Sequence, residues 1–143
     1  MSAFVSRDGI SFEKISDLLD KICFNNYLGI RLVRFHAEGV EIECPLRPEL
    51  MNAAGVLHGG VAATMADVAV GMALTRHLGG TRAATTVELK INYLRPVTGG
   101  KIVARSHLLK VGSSLCVGRV DLTDAESQLV GAALVTYMLL GQR

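Results

Sequence analysis

A chain of 143 residues, half of them apolar, is long enough to enclose one substantial core and too short for two. With 15 basic against 13 acidic residues the net charge is only +2, which excludes the broad positive field of a nucleic-acid binder and makes any anion site local. Cys23, Cys44 and Cys116 are far apart and form no CxxC pair, which argues against a disulfide framework or a zinc site and for a reducing compartment, the cytoplasm.

The first residues, MSAFVSRDGI, gain charge early and lack the apolar run of a signal peptide, so a loose start is expected. In SFEKISDLLDKI, Phe12, Ile15, Leu19 and Ile22 recur at helical spacing behind Ser11, a good N-cap, which predicts an amphipathic helix over about 11–23. LGIRLVRF and VEIECPL read as two strands around a Glu38-Gly39 turn, the second ended by Pro45 and Pro48. A long helix from about Gly59 to Leu78 follows, closed by Gly79-Gly80. Its most apolar run, Val61 to Leu74, is shorter than a bilayer crossing and contains Asp67, so no membrane span is expected. TTVELKINYL alternates, with Val87, Leu89, Ile91 and Tyr93 on one face and Glu88, Lys90 and Asn92 on the other, the period of a half-buried strand that Pro96 stops. KIVARSHLLK, SLCVGRVDL and LVGAALVTYMLL are three more strands, joined by a turn at Val111-Gly112-Ser113 and another in TDAESQ.

Helix, two strands, long helix, four strands is an α+β order, and it implies an antiparallel sheet wrapped on the long helix. Without repeats or a linker, residues 1–143 read as one domain. The long helix is apolar on nearly every side, more than one sheet can cover, so its other face is expected against a second copy of the chain.

The chemistry concentrates in NAAGVLHGGVAATMAD, residues 52–67. Gly59 and Gly60 bare the backbone at a helix start, where free N–H groups and the dipole favour an anion or the developing oxyanion of a thioester; they equally serve a simple turn into the helix. Asp67 sits among apolar neighbours with no Lys or Arg three or four residues away, so it is either held by distant donors or acts as a general base or nucleophile. It lies eight residues beyond Gly59, about 12 Å along the helix. A shared reacting atom must lie about 3 Å from both groups, so the two would come from different subunits related by a two-fold axis. Asn52 can polarise a carbonyl or shape its loop, and His58 can hold the loop or a substrate. The Thr86 hydroxyl is suited to holding a water, or is an ordinary strand threonine. No GxSxG elbow, P-loop or GxGxxG occurs, and His36, His58, His77 and His107 lack metal-ligand spacing.

The run Asn52-x-x-Gly55-x-x-His58-Gly59-Gly60, then Asp67 after six intervening residues, then a strand leading into Asn92-Tyr93-Leu94-Arg95-Pro96, resembles the hotdog-fold acyl-CoA thioesterases of the phenylacetate-pathway (PaaI-like) type. The similarity spans about residues 25–140. It implies a curved sheet around one central helix, and homodimers, often paired into homotetramers, with active sites at the subunit interface. Carried over by position, Asp67 activates water or attacks the thioester, the Gly59 N–H and Asn52 polarise its carbonyl, Thr86 positions the water and His58 orients the loop. Gly60 lies beside the carbonyl site, and Arg95, Lys110 and Gly112 are the candidates for the coenzyme A phosphates. Asp rather than Glu on the helix points to the PaaI-like branch. The resemblance implies no metal and no cofactor beyond the coenzyme A of the substrate, and no nucleic-acid or membrane partner. A non-catalytic acyl-CoA sensor and an enoyl-thioester hydratase are the competing readings of the same fold.

Overall fold

The computed structural model describes residues 9–80 and 82–141, so most of the expected loose start, residues 1–8, lies outside the described residues. Helix α1 (Phe12–Lys21) begins as expected, its first turn capped by Ser11, whose hydroxyl accepts from the Lys14 N–H at 3.1 Å. It buries Ile15 and Leu19. The chain then breaks at Ile22 and turns again as α2 (Cys23–Leu28), which ends on Gly29 at φ 83°. The expected strand LGIRLVRF therefore starts only at Arg31, because Leu28 closes a helix and Gly29 holds a left-handed turn.

Strands β1 (Arg31–His36) and β2 (Gly39–Pro45) form a hairpin, and α3 (Gly59–His77) follows a loop that includes one 3-10 turn at Pro48–Leu50. Strands β3 (Ala84–Tyr93), β4 (Lys101–Val111), β5 (Leu115–Thr123) and β6 (Leu129–Leu139) complete an antiparallel sheet of order β1-β2-β4-β5-β6-β3. Helix α3 packs on one face of that sheet, with Met65, Ala66, Ala69 and Val70 buried among Ile42, Ala104, Val120 and Val135. This is the sheet-around-helix arrangement of the hotdog fold. The layers approach closely at Gly118 of β5, where a Cβ would meet both γ carbons of Val70 at 2.8 Å. The opposite face of β1, β2 and β4 is polar, with Glu43 between Arg31 and Lys101 and Glu41 between Arg34 and Arg105.

Strand β3 corrects the sequence reading. Leu89 and Ile91 pair with Val135 and Ala133 of β6 and pack against the core, as the alternation predicts. Val87 does not: the register shifts between Thr86 and Glu88, and Val87 is left 49% exposed. One extra residue in one strand of a pair reverses the facing of everything before it. Thr86, whose even number puts it with Glu88 and Lys90 on the polar face, consequently faces the helix.

Candidate active site

The loop before α3 is pinned on both sides. The Leu57 N–H donates to Val97 O and the His58 N–H to Leu50 O, each at 2.8 Å. Asn52 serves as the loop's own template: its Oδ1 accepts from the N–H groups of Ala54 (2.9 Å) and Val56 (3.2 Å). Its amide NH2 has no acceptor among the described residues and can serve another. His58 is the N-cap of α3, and its Nδ1 accepts from the Gly60 N–H at 2.9 Å. That bond requires a neutral ring with its proton on Nε2. It also uses the Gly60 N–H, so Gly60 contributes a bare surface and no free donor.

The Gly59 N–H is different. It has no acceptor among the described residues, and Gly59 lines a cavity of about 410 Å³ together with Asn52, Ala62, Tyr93 and Arg95. The Tyr93 hydroxyl donates to Gly59 O at 2.8 Å, fixing the first turn from the strand side. A free amide at the positive end of a 19-residue helix is an anion or oxyanion donor.

Asp67 is not stranded. Thr86 Oγ1 donates to its Oδ1 at 2.7 Å, and the Tyr137 hydroxyl lies 2.8 Å from the same oxygen and 2.9 Å from the Asp67 main-chain carbonyl. Thr86 and Tyr137 are direct cross-strand partners, so the bulge at Val87 is what aims both hydroxyls at one carboxylate oxygen. Burial, reinforced by the Asp67 charge, pushes the Tyr137 phenol well above its ordinary value and keeps it a donor. Thr86 and Tyr137 line a second cavity, of about 400 Å³, with Ile22, Gly71, Met72 and Arg82. Tyr137 is absent from the sequence reading, although the odd-numbered positions of β6 that place Ala133 and Val135 inward also place this phenol inward, where its hydroxyl needs a partner.

One protomer thus carries two separate groupings: Asn52, Gly59 and Arg95 at one cavity, and Asp67, Thr86 and Tyr137 at or beside the other. Lys110 and Gly112 line neither; they lie at the β4–β5 turn, where the Gly112 N–H donates to Leu115 O at 2.8 Å. No group of three or more His, Cys, Asp or Glu among the described residues is placed to hold a metal ion, and no helix among them is long and apolar enough to cross a membrane.

The antiparallel sheet around one central helix is of the hotdog type, and sequence comparison names the family. The thioesterase superfamily model matches residues 54–131, and the chain belongs to that family. It is 34% identical over 131 residues to the medium/long-chain acyl-CoA thioesterase YigI of Escherichia coli, covering 81% of this chain and 84% of the relative. The crystal structure of the Haemophilus influenzae thioesterase HI1161 superposes with a TM-score of 0.87 at 25% identity, covering 96% of this chain and 95% of that one. A thioesterase family protein from Silicibacter pomeroyi gives a TM-score of 0.83 at 26% identity, over 91% and 98% of the two chains.

Proposed function

We propose that this thioesterase-family hydrolase cleaves acyl-CoA thioesters to a free acid and coenzyme A, with Asp67 as the reacting carboxylate. The observation that carries the reading is the anchoring of Asp67: two hydroxyls converge on Oδ1, so Oδ2 is the oxygen left to act. Thr86 gives its single proton to Oδ1 and retains lone pairs. A water beside it can therefore donate one proton to Thr86 and the other to Oδ2. The hydroxide equivalent so formed adds to the thioester carbon, the carbonyl oxygen takes the negative charge, and collapse expels the coenzyme A thiolate, which recovers the proton from Asp67. Direct attack by Oδ2, forming a mixed anhydride that water then hydrolyses, is the competing course. A single turnover in H2¹⁸O labels Asp67 where water opens the anhydride at the aspartyl carbon, and rapid-quench mass spectrometry for an acyl–Asp67 adduct detects the course in which it opens at the acyl carbon; neither signal is expected for direct attack by water.

The oxyanion is assigned to the Gly59 N–H, with the Asn52 amide NH2 as a second donor and His58 holding the loop through Gly60. Gly59 and Asp67 are about 12 Å apart along one helix, so the reading requires a homodimer in which each site joins Asp67 of one protomer to Gly59 of its partner, with pairing into tetramers as the expected assembly. Arg95, which lines the Gly59 cavity, and Lys110 with Gly112 at the β4–β5 turn, are assigned to the coenzyme A moiety. Asp at the helix position favours the phenylacetate-pathway (PaaI-like) branch, whereas the relative from Escherichia coli is named for medium and long acyl chains, so both aryl and fatty acyl thioesters belong in the assay. Three free cysteines are compatible with the reducing cytoplasm, the location assigned here. The test is thiol release across that panel: Asp67→Asn, in a folded oligomer, is expected to lose nearly all turnover. Full activity in this variant rejects Asp67 as the reacting group.

A further inference from the structure

We propose that Tyr137 is a positioning residue for the reaction, its hydroxyl acting with that of Thr86 to hold Asp67 Oδ1 so that Oδ2 points at the reacting carbon or its water. The inference rests on the reading of Asp67 as the reacting carboxylate. Its geometry has three parts. First, the Tyr137 hydroxyl has one proton and two acceptors within reach, Oδ1 at 2.8 Å and the Asp67 carbonyl at 2.9 Å. That carbonyl sits inside α3, where the amide four residues on already bonds to it, whereas Oδ1 carries charge and draws the stronger bond. Second, Tyr137 stands directly opposite Thr86 in the β3–β6 ladder, so the two donors meet the carboxylate from neighbouring strands and fix its rotation. Third, the helix makes room for the phenol. Gly71 lies one turn beyond Asp67, and a Cβ there would come within 2.6 Å of the Tyr137 hydroxyl and 3.3 Å of its Cζ. Gly71 interrupts an otherwise good helix former, and its lack of a side chain is what seats the hydroxyl over Asp67.

A hydroxyl that orients a charged group without touching substrate affects turnover more than binding. Tyr137→Phe keeps the ring in the core and removes only the oxygen. The expected result is a fall in kcat of roughly ten- to a hundredfold, with KM within about threefold of the parent. Gly71→Ala is expected to give a similar loss in the parent, because its Cβ displaces the hydroxyl. Added to Tyr137→Phe it should cost little more, since the atom it would strike is gone. If Tyr137→Phe does not assemble, Gly71→Ala alone decides by the same kcat-against-KM split. A Tyr137→Phe enzyme with kcat within about threefold of the parent, beside an inactive Asp67→Asn, overturns this inference alone. So do losses at Gly71 and Tyr137 that simply multiply. Full activity in Asp67→Asn overturns the inference together with the reading beneath it.

Discussion

Replacing Gly59 by proline removes one hydrogen atom that the proposed chemistry needs and little that the fold needs. Gly59 is the first residue of α3, the position where proline is best tolerated in a helix, because its N–H has no partner within the helix. The preceding residue, His58, sits at φ −64° and ψ 133°, inside the extended region that a following proline demands. The new Cβ would press on the Tyr93 ring at 3.1 Å, but Tyr93 is 56% exposed and can swing outward. That movement gives up the Tyr93 hydrogen bond to Gly59 O, so stability should fall by about 0.5–1.5 kcal/mol. Loss of one oxyanion donor typically lowers kcat by roughly 10²- to 10³-fold, about 2.7–4 kcal/mol in the transition state. The assay is continuous thiol release with kcat and KM resolved, read beside Gly59→Ala, which adds the same Cβ contact and keeps the N–H. Proline is expected to cost at least about tenfold more in kcat than alanine. Equal losses in the two variants would refute the donor role and leave only a steric one.

If each site is shared, unfolding Asp67→Asn and Gly59→Pro chains together and refolding them should restore about a quarter of wild-type activity, since half the dimers are mixed and each mixed dimer has one intact site; no recovery would place both halves within one protomer. Gly118→Ala should lower stability by roughly 1–3 kcal/mol in urea unfolding, because its Cβ meets both methyl groups of fully buried Val70 at 2.8 Å and rotating the valine cannot clear both. His36 is lowered to about 4 by burial and then by the Arg105 charge, so the folded chain resists a proton that the unfolded chain accepts near 6.5. Its contribution is intact above pH 6.5 and is lost as pH falls toward 4, roughly 2 kcal/mol after allowance for partial solvent access. His107 shifts in the same direction. His36→Asn should flatten the fall in urea midpoint between pH 7 and 4.5, and an unchanged slope would contradict this.

What the sequence disclosed was what short-range chemistry decides. The Ser11 cap, the glycines after α3 and the helix start at His58-Gly59-Gly60 each depend on a handful of adjacent residues, and each stands where expected. Helix α2 escaped because six residues, CFNNYL, are too few to show a period. The environment of Asp67 escaped for another reason. Both its donors arrive from strands beyond α3, and whether Thr86 faces in or out depends on how β3 pairs with β6, which alternation within β3 alone cannot report. The sequence offers Arg95, Lys110 and Gly112 alike as strand-end candidates for phosphates; Arg95 lines one cavity with Asn52 and Gly59, while Lys110 and Gly112 stand apart from both cavities.

The unpaired Val87 means that the orientation of a reacting group's support is set by counting residues along a strand. Deleting that one valine would remove the bulge and leave Thr86 directly before the outward-facing Glu88, still opposite Tyr137 and still facing the helix; keeping the valine and pairing it with Tyr137 instead would turn the Thr86 oxygen outward to bulk water. Two chains that differ by one residue here can therefore present the same hydroxyl to Asp67, and alignments of such enzymes need their gap placed at the bulge before they are read for identity.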